Sequence, residues 1–286
     1  MMEKKTHISV ELENWIRNTL KTGVHPEAIV NGLIKKGYDT RLAYRILLNI
    51  VANHPVSASN TSYQYETPEL GIRENVLYTS DREIRVLMRN EKPYVLHLDN
   101  VLSSEECDRL ISLSMGRLQP SKVVDPKTGI ERSTAGRTSH GMYFSLNENS
   151  FLTTIEKRIA EITNIPMEHG EGLQVLNYKN DQEYKPHFDY FPSSKVDPEK
   201  GGQRVGTLLI YLNDVPDGGQ TIFPKLGLSI VPKKGTAVYF HYTNSLGQVD
   251  PMSLHSSSPV LKGEKWVATK WIRQGNIYPK PVKVHS

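Results

Sequence analysis

Gln174-Val-Leu-Asn-Tyr-Lys-Asn-Asp-Gln-Glu-Tyr-Lys-Pro-His187-Phe-Asp189-Tyr-Phe191 is the stretch on which the reading of this chain turns. Its centre is a His-x-Asp pair. Side chains alternate between the faces of a β-strand, so residues two apart point the same way. On a strand, His187 and Asp189 would present an imidazole and a carboxylate side by side, half of a metal site. Leu254-His255-Ser256 follows 66 residues beyond Asp189, and Gly263-Glu264-Lys265-Trp266 comes just after it.

His255 would complete a set of two histidines and one carboxylate. Such a set leaves positions open on the metal and suits non-haem Fe(II) oxygenases. Lys265 lies ten residues beyond His255. A strand, a tight turn at Gly263 and a return strand would carry it into the same cavity. A buried ammonium requires an anion, because an isolated buried charge is very costly, and a dicarboxylic cosubstrate would supply one. Taken singly, each histidine reads as a loop cap and the lysine as a surface residue. The four together do not.

Residues 173–273 resemble the catalytic core of the prolyl 4-hydroxylases, which depend on iron and 2-oxoglutarate. The matching segments are 173–190, 204–224 (Arg-Val-Gly-Thr-Leu-Leu-Ile-Tyr-Leu-Asn-Asp-Val-Pro-Asp-Gly-Gly-Gln-Thr-Ile-Phe-Pro) and 255–273. A weaker likeness starts near Lys92 and takes in Arg137-Thr-Ser139, so that about two-thirds of the chain is covered. The resemblance implies an α+β fold, a double-stranded β-helix (jelly roll) backed by helices. It implies His187, Asp189 and His255 as iron ligands and Lys265 as the partner of the distal 2-oxoglutarate carboxylate. Tyr178 and Thr221 match hydroxyl donors to the cosubstrate, Tyr184 and Trp271 match the lining of a proline pocket, and Arg204, with Arg137 in a similar position, could reach peptide carbonyls. Each of these six also has a plainer use: strand packing for Tyr178, a turn hydrogen bond for Thr221, core for the two other aromatics, and an exposed loop cap for the arginines.

The reaction implied uses Fe(II), 2-oxoglutarate and O2, with ascorbate a candidate accessory, to hydroxylate proline in a polypeptide and release succinate and CO2. Arg273 stands where the animal collagen-modifying enzymes carry a histidine, and bacterial-type members resemble the chain better there. Two competitors remain: an oxygenase acting on a free amino acid or another peptide side chain, and a non-catalytic cupin-like binding protein. The second would carry a broken triad or lack the lysine, and neither is broken here.

At 286 residues, one large domain and one small one are expected. Net charge is +4 without any block of like charges, which argues against a nucleic-acid partner. Cys107 is the single cysteine, so no intramolecular disulfide forms, which fits a reducing compartment. The polar start and the short, Arg45- and Asn49-interrupted run 43–52 predict neither a signal peptide nor a membrane span, and the expected location is cytoplasmic. Self-association as a homodimer stays open.

The expected organisation is a three-helix module at 1–55, a linker at 56–74 and the oxygenase domain at 75–286. In the module, Leu12, Ile16 and Leu20 mark a first helix closing at Gly23. Ile29, Leu33 and Ile34 mark a second behind Pro26, and Leu42, Ile46 and Leu47 a third behind Asp39. Such a module loosely resembles ubiquitin-associated domains and is a candidate for binding a protein partner. Ser103 with Glu106 signals a capping box, followed by a helix with Cys107, Leu110 and Ile111 inward. Residues 151–165 read as an amphipathic helix backing a sheet. Short strands are expected at 84–88, 94–98, 173–178, 205–212, 229–231, 237–242, 258–261 and 266–272, the pattern of a jelly roll. The polar stretches 119–136 and 192–203 read as loops suited to closing over a substrate.

Overall fold

The computed structural model describes residues 10–22, 24–38, 40–52, 63–72, 74–121, 123–124, 131–132 and 136–278. The chain divides into two compact units, Met1–Ser62 and Tyr63–Ser286. Among the described residues, no helix is long and apolar enough to cross a membrane.

The first unit holds α1 (Val10–Lys21), α2 (Pro26–Lys35) and α3 (Thr40–Ala52). Pro26 occupies the first turn of α2, where a missing N–H costs nothing, and the His25 side chain accepts from the Glu27 amide. Ile16, Ile29, Val30, Leu33, Ala43, Ile46, Leu47 and Ile50 form its core, with Leu12, Leu20 and Leu42 half-buried against it. Ile34, expected inside, is exposed. It stands about 140° round α2 from Ile29, past the edge of the stripe that ends at Val30. The expected caps Gly23 and Asp39, the last residues 53–55 of the expected module and residues 56–62 of the expected linker lie outside the described residues.

The rest of that linker belongs to the second unit. The Gln64 amide donates to Gln248 Oε1 (3.0 Å), Asn244 Nδ2 to the Gln64 carbonyl (3.0 Å) and Ser245 Oγ to Glu66 (2.8 Å). Leu70 and Ile72 then enter the core.

A nine-stranded sheet dominates this unit. From edge to edge it runs Val76–Tyr78, Glu83–Glu91, Tyr94–Asp99, Ala237–His241, Arg204–Tyr211, Lys265–Arg273, Leu173–Tyr178, His140–Phe144 and Gln119–Pro120, every pair antiparallel. Facing it, a four-stranded sheet runs Leu228–Ile230, Thr221–Phe223, His255–Ser257, Tyr184–His187. This β-rich core with helices behind it is consistent with a double-stranded β-helix.

Strand alternation divides the large sheet into two working faces. Leu173, Val175, Leu208, Ile210, Trp266, Ala268 and Ile272 pack with α4 (Ser104–Met115) and α5 (Ser150–Thr163) through Cys107, Leu110, Leu152, Ile155, Ile159 and Ile162. Leu176, Tyr178, Tyr211 and Val267 turn the other way, toward Phe223 and Ile230 of the small sheet. The capping box at Ser103 and Glu106 is present, and burial pushes the Cys107 thiol up to about 12, which keeps it inert.

The reading of α5 as a plain apolar stripe omits two charges. Arg158, 1% exposed, pairs with Asp81 (2.5 Å) and Glu106 (2.7 Å) and donates to the Val101 carbonyl (2.9 Å). Glu156 pairs with Lys270 of the sheet (2.6 Å). Neither expected loop is featureless. Residues 123–124 pair with 131–132, while the tip 125–130 lies outside the described residues. The 192–203 segment contains two 3-10 turns, Ser193–Lys195 and Pro198–Lys200, and is closed at its base by Gln203 bonding both the N–H and the carbonyl of Phe191.

Arg158→Ala should lower the stability of this unit by about 3 kcal/mol, the lower end for breaking a buried ion pair, since Asp81 reaches solvent. The Arg158 hydrogen bond holds Asp81 low. Glu106 is also held low, because Arg158 and the Ser103 amide outweigh the burial that would raise it. Their contribution is therefore complete above the unfolded carboxylate range and disappears as pH falls through the lowered folded values. Denaturant melts of both proteins at neutral and acid pH would show the gap narrowing at acid pH; a constant gap would contradict the assignment.

Candidate active site

His187 ends its strand, and antiparallel pairing sets it directly opposite His255. The expected strand placement of Asp189 does not hold. The strand stops at His187, and Asp189 lies in the bend that follows. Its carboxylate nevertheless converges with the two rings, Oδ1 being 3.6 Å from His187 Nε2 and Oδ2 3.6 Å from His255 Nε2. The three ligand atoms lie within 4.8 Å of one another.

Both tautomers are settled by backbone carbonyls, which only accept. His187 Nδ1 faces the Lys185 carbonyl at 2.8 Å and His255 Nδ1 the Ser253 carbonyl at 3.1 Å. Each Nδ1 therefore carries the hydrogen, and each Nε2 lone pair turns toward the carboxylate, the arrangement a divalent metal requires. Burial, then the neighbouring His255, lowers His187 to about 3, so it is neutral at physiological pH. Burial alone would raise Asp189, but His255, His187, Arg204 and the Thr207 hydrogen bond together hold it below its ordinary value. Two imidazole Nε2 atoms and one anionic carboxylate converging within 4.8 Å of one another fit Fe(II).

Lys265 is 1% exposed at the start of its strand, beyond a turn at Gly263 (φ +81°). Its Nζ donates to Ser257 Oγ at 2.8 Å, and among the described residues it forms no ion pair. Burial lowers it to about 7. Gly219 (φ +68°) gives it room, since a Cβ there would come within 3.3 Å of Lys265 Cδ. Tyr178 is its cross-strand partner, and Lys265, Val267, Thr269 and Trp271 line one cavity with the triad, alternate residues of a single strand. Thr221 faces the same space and accepts from Tyr211 Oη at 2.7 Å, which leaves its own hydroxyl proton directed elsewhere.

Three further expected residues, Arg137, Tyr184 and Trp271, line the cavity wall, and Arg204 lies against Trp271. The Tyr184 ring stacks on His187 with centroids 3.5 Å apart, and Arg137 lies over its other side at 4.8 Å. Arg137 donates to Gln174 Oε1 (3.0 Å), while its Nε and the Trp271 Nε1 are buried with no acceptor among the described residues. Arg204 is not an exposed cap, and its guanidinium is already partnered within the chain. Its Nε and Nη2 pair with Glu171 at 2.7 Å each, its Nη1 donates to the Asp189 carbonyl at 3.1 Å, and it lies over Trp271 at 4.0 Å. Arg273 reaches the same Glu171 (3.0 Å).

Sequence reasoning did not single out Thr207, Tyr242, Glu171 or Ser257. Thr207 left one signal, a hydroxyl at an inward position between Val205 and Leu209 on an otherwise apolar strand.

Residues 173–273 match the 2OG-Fe(II) oxygenase superfamily. An Arabidopsis thaliana protein named probable prolyl 4-hydroxylase 3 is 41% identical over 214 residues, 68% of this chain and 74% of that protein. Prolyl 4-hydroxylase 1 of the same plant is 37% identical over 89% of this chain and 95% of its own length. Among solved structures, the viral collagen prolyl hydroxylase of Paramecium Bursaria Chlorella virus-1, in complex with 2-oxoglutarate, superposes with a TM-score of 0.51 at 31% identity, covering 63% of this chain and 95% of that one.

Asp189→Ala removes the anionic member of the triad. Its Co(II) affinity should fall further than the roughly 10–100-fold typical of losing an outer-shell partner. Titration of the metal-free protein tests this, and an affinity equal to the parent's would place the metal elsewhere.

Proposed function

Because this chain belongs to the prolyl 4-hydroxylase family of 2-oxoglutarate–Fe(II) oxygenases, we propose that its site hydroxylates proline held within a polypeptide. It is a 2-oxoglutarate-dependent dioxygenase. Bound Fe(II) with 2-oxoglutarate and O2 supplies the oxidising chemistry, one oxygen atom going to the substrate and the other into succinate as CO2 leaves.

The observation that carries the reading is Lys265, a buried ammonium beside an intact His–Asp–His triad with no carboxylate of the chain as partner among the described residues. In this reading His187, His255 and Asp189 hold the metal. Lys265 takes the distal carboxylate of 2-oxoglutarate, and the Tyr178 and Thr221 hydroxyls bind oxygen lone pairs that one ammonium leaves unfilled. Burial raises the Tyr178 phenol, so it keeps its proton and donates. The intact triad also weighs against a non-catalytic cupin-like role.

Substrate recognition falls to Arg137, Tyr184 and Trp271. Tyr184 and Trp271 offer flat faces to a pyrrolidine ring, and two buried N–H groups, Arg137 Nε and Trp271 Nε1, lack acceptors that peptide carbonyls would provide. Peptide carbonyls on either side of a proline ring would supply acceptors to both, which favours a polypeptide over free proline. Arg204 is better assigned to holding Asp189 and Trp271 than to touching substrate. Arg273 is taken up by Glu171 and the carbonyls of Lys200 and Gly202. Plant and viral proteins are among its relatives, and the expected bacterial-type kinship rests on that residue and the single cysteine. The three-helix unit carries none of these groups, which supports an adaptor role outside the chemistry.

Lys265→Ala should raise the 2-oxoglutarate requirement tenfold to a few hundredfold, from the loss of a charge-assisted bond worth about 1.5–3 kcal/mol and the stranding of a carboxylate. Free Lys265 titrates at about 7 and binds a dicarboxylate only when charged, so wild-type affinity should weaken as pH rises above that value. The variant should lack this slope. A flat wild-type profile would remove Lys265 from cosubstrate binding.

For the substrate, mass spectrometry should find one added oxygen, placed by fragmentation on proline, in a peptide of roughly ten residues far more efficiently than in a tripeptide. Free proline should be nearly inert, because a longer, polyproline-like chain loses little entropy on docking. Rapid turnover of free proline, or oxygen found on lysine or asparagine, would favour the other oxygenase reading.

A further inference from the structure

Asp189 lies outside any strand, so no ladder of backbone hydrogen bonds fixes it. The contacts that do are specific. Arg204 Nη1 donates to its carbonyl at 3.1 Å, and Thr207 Oγ1 donates to its Oδ2 at 2.7 Å. Tyr242 Oη lies 3.0 Å from the same Thr207 oxygen. Thr207 is 1% exposed and Tyr242 wholly buried.

Counting protons gives this chain of atoms a direction. An ionised carboxylate only accepts. The single Thr207 hydroxyl hydrogen is therefore committed to Asp189 Oδ2, and the Thr207 oxygen must accept from Tyr242. The order is Tyr242 O–H to Thr207 O–H to Asp189. Hydrogen bonds linked head to tail in a low-dielectric interior strengthen one another. A carboxylate held at one oxygen by this line and at its main chain by Arg204 loses most of its freedom to rotate.

We propose that Thr207 and Tyr242 are positioning residues, a directional hydroxyl relay that sets the rotation of the Asp189 carboxylate and thereby the affinity of the triad for its divalent metal. The proposal rests on the triad being the metal site. Neither hydroxyl touches the metal in this scheme. Replacing Thr207 by valine keeps the side-chain shape but leaves two buried groups without partners, the Asp189 oxygen and the Tyr242 hydroxyl.

The test is titration of the metal-free protein with Co(II), whose visible absorption reports on the ligands around it. Thr207→Val should bind Co(II) about 10–100-fold more weakly, the usual consequence of losing an outer-shell partner, with a shifted visible band. Thr207→Ser, which keeps the hydroxyl, should come within about threefold of the parent. Tyr242→Phe should fall between the two, and it carries the test alone if Thr207→Val does not fold. Parent-like affinity and spectrum in Thr207→Val or in Tyr242→Phe would overturn the relay. So would a serine variant as weak as the valine one, because the loss would then be one of packing. Failure of the metal-site reading looks different: the parent itself would not bind Co(II), or His187→Ala would bind it unchanged.

Discussion

The strand Lys265–Arg273 carries two wholly buried lysines that face opposite ways, and the difference between their partners organises the molecule. An ammonium taken out of water must find a negative charge or lose its own. Lys270 turns to the helix side and meets Glu156 of α5 at 2.6 Å. Lys265 turns to the cavity side and meets a serine hydroxyl. The first is a closed structural pair that ties a helix to a sheet. The second is an open half of a pair, and burial has already lowered it to about 7 in the absence of an anion. The same residue type, five positions apart, thus separates scaffold from site.

That separation depends on the alternation of side chains across the large sheet. One face is covered by α4 and α5, and its inward positions are mostly aliphatic, with Phe144, Tyr239, Trp266 and the paired Lys270 among them. The other face meets the four-stranded sheet and can hold polar groups, because Thr207 donates to Asp189, Tyr211 donates to Thr221 and Ser257 accepts from Lys265 there. Each hydroxyl can both give and take a hydrogen bond, so a small number of them satisfy buried charges without adding net charge. The arginines lie further out. Glu171 binds Arg204 and Arg273 together, and Arg204 then reaches inward to the Asp189 carbonyl.

Much of this was legible from the chain, for a physical reason in each case. Helical period placed α1 to α5, because apolar residues at that spacing make one face, and the capping box at Ser103 fixed where α4 begins. Spacing brought out the triad and Lys265, because few arrangements collect two histidines, an aspartate and a lysine in one short stretch of jelly roll. Pairing of charges across distant elements was not legible. Glu156 and Arg158 sit where a surface charge would be expected on α5, and their burial follows from Lys270, Asp81 and Glu106, which the sequence separates by 50 residues or more. Nor did the period-two rule find the true position of Asp189, since a strand can end two residues before its pattern does. Arg204 was misread for the same cause: Glu171, its partner 33 residues away, is invisible to local pattern.

His255 shows how far from the site its geometry is set. Its ring is oriented by the Ser253 carbonyl, and Ser253 belongs to a 3-10 turn capped by Asp250, which accepts from the Met252 amide. Asp250 is 1% exposed, its amide bonds to the Tyr242 carbonyl, and one carboxylate oxygen takes the Tyr65 hydroxyl at 3.4 Å. Tyr65 belongs to the stretch 63–66 that is fastened to residues 244–248. Two lines therefore leave Tyr242: its hydroxyl runs through Thr207 to Asp189, and its carbonyl runs through Asp250 to the turn before His255. Two of the three triad ligands are held through one residue, Tyr242, which follows directly on the strand Ala237–His241. A stretch that composition marks as linker is in this way part of the support of the site, and shortening the chain past residue 66 would loosen His255 without removing any residue of the cavity.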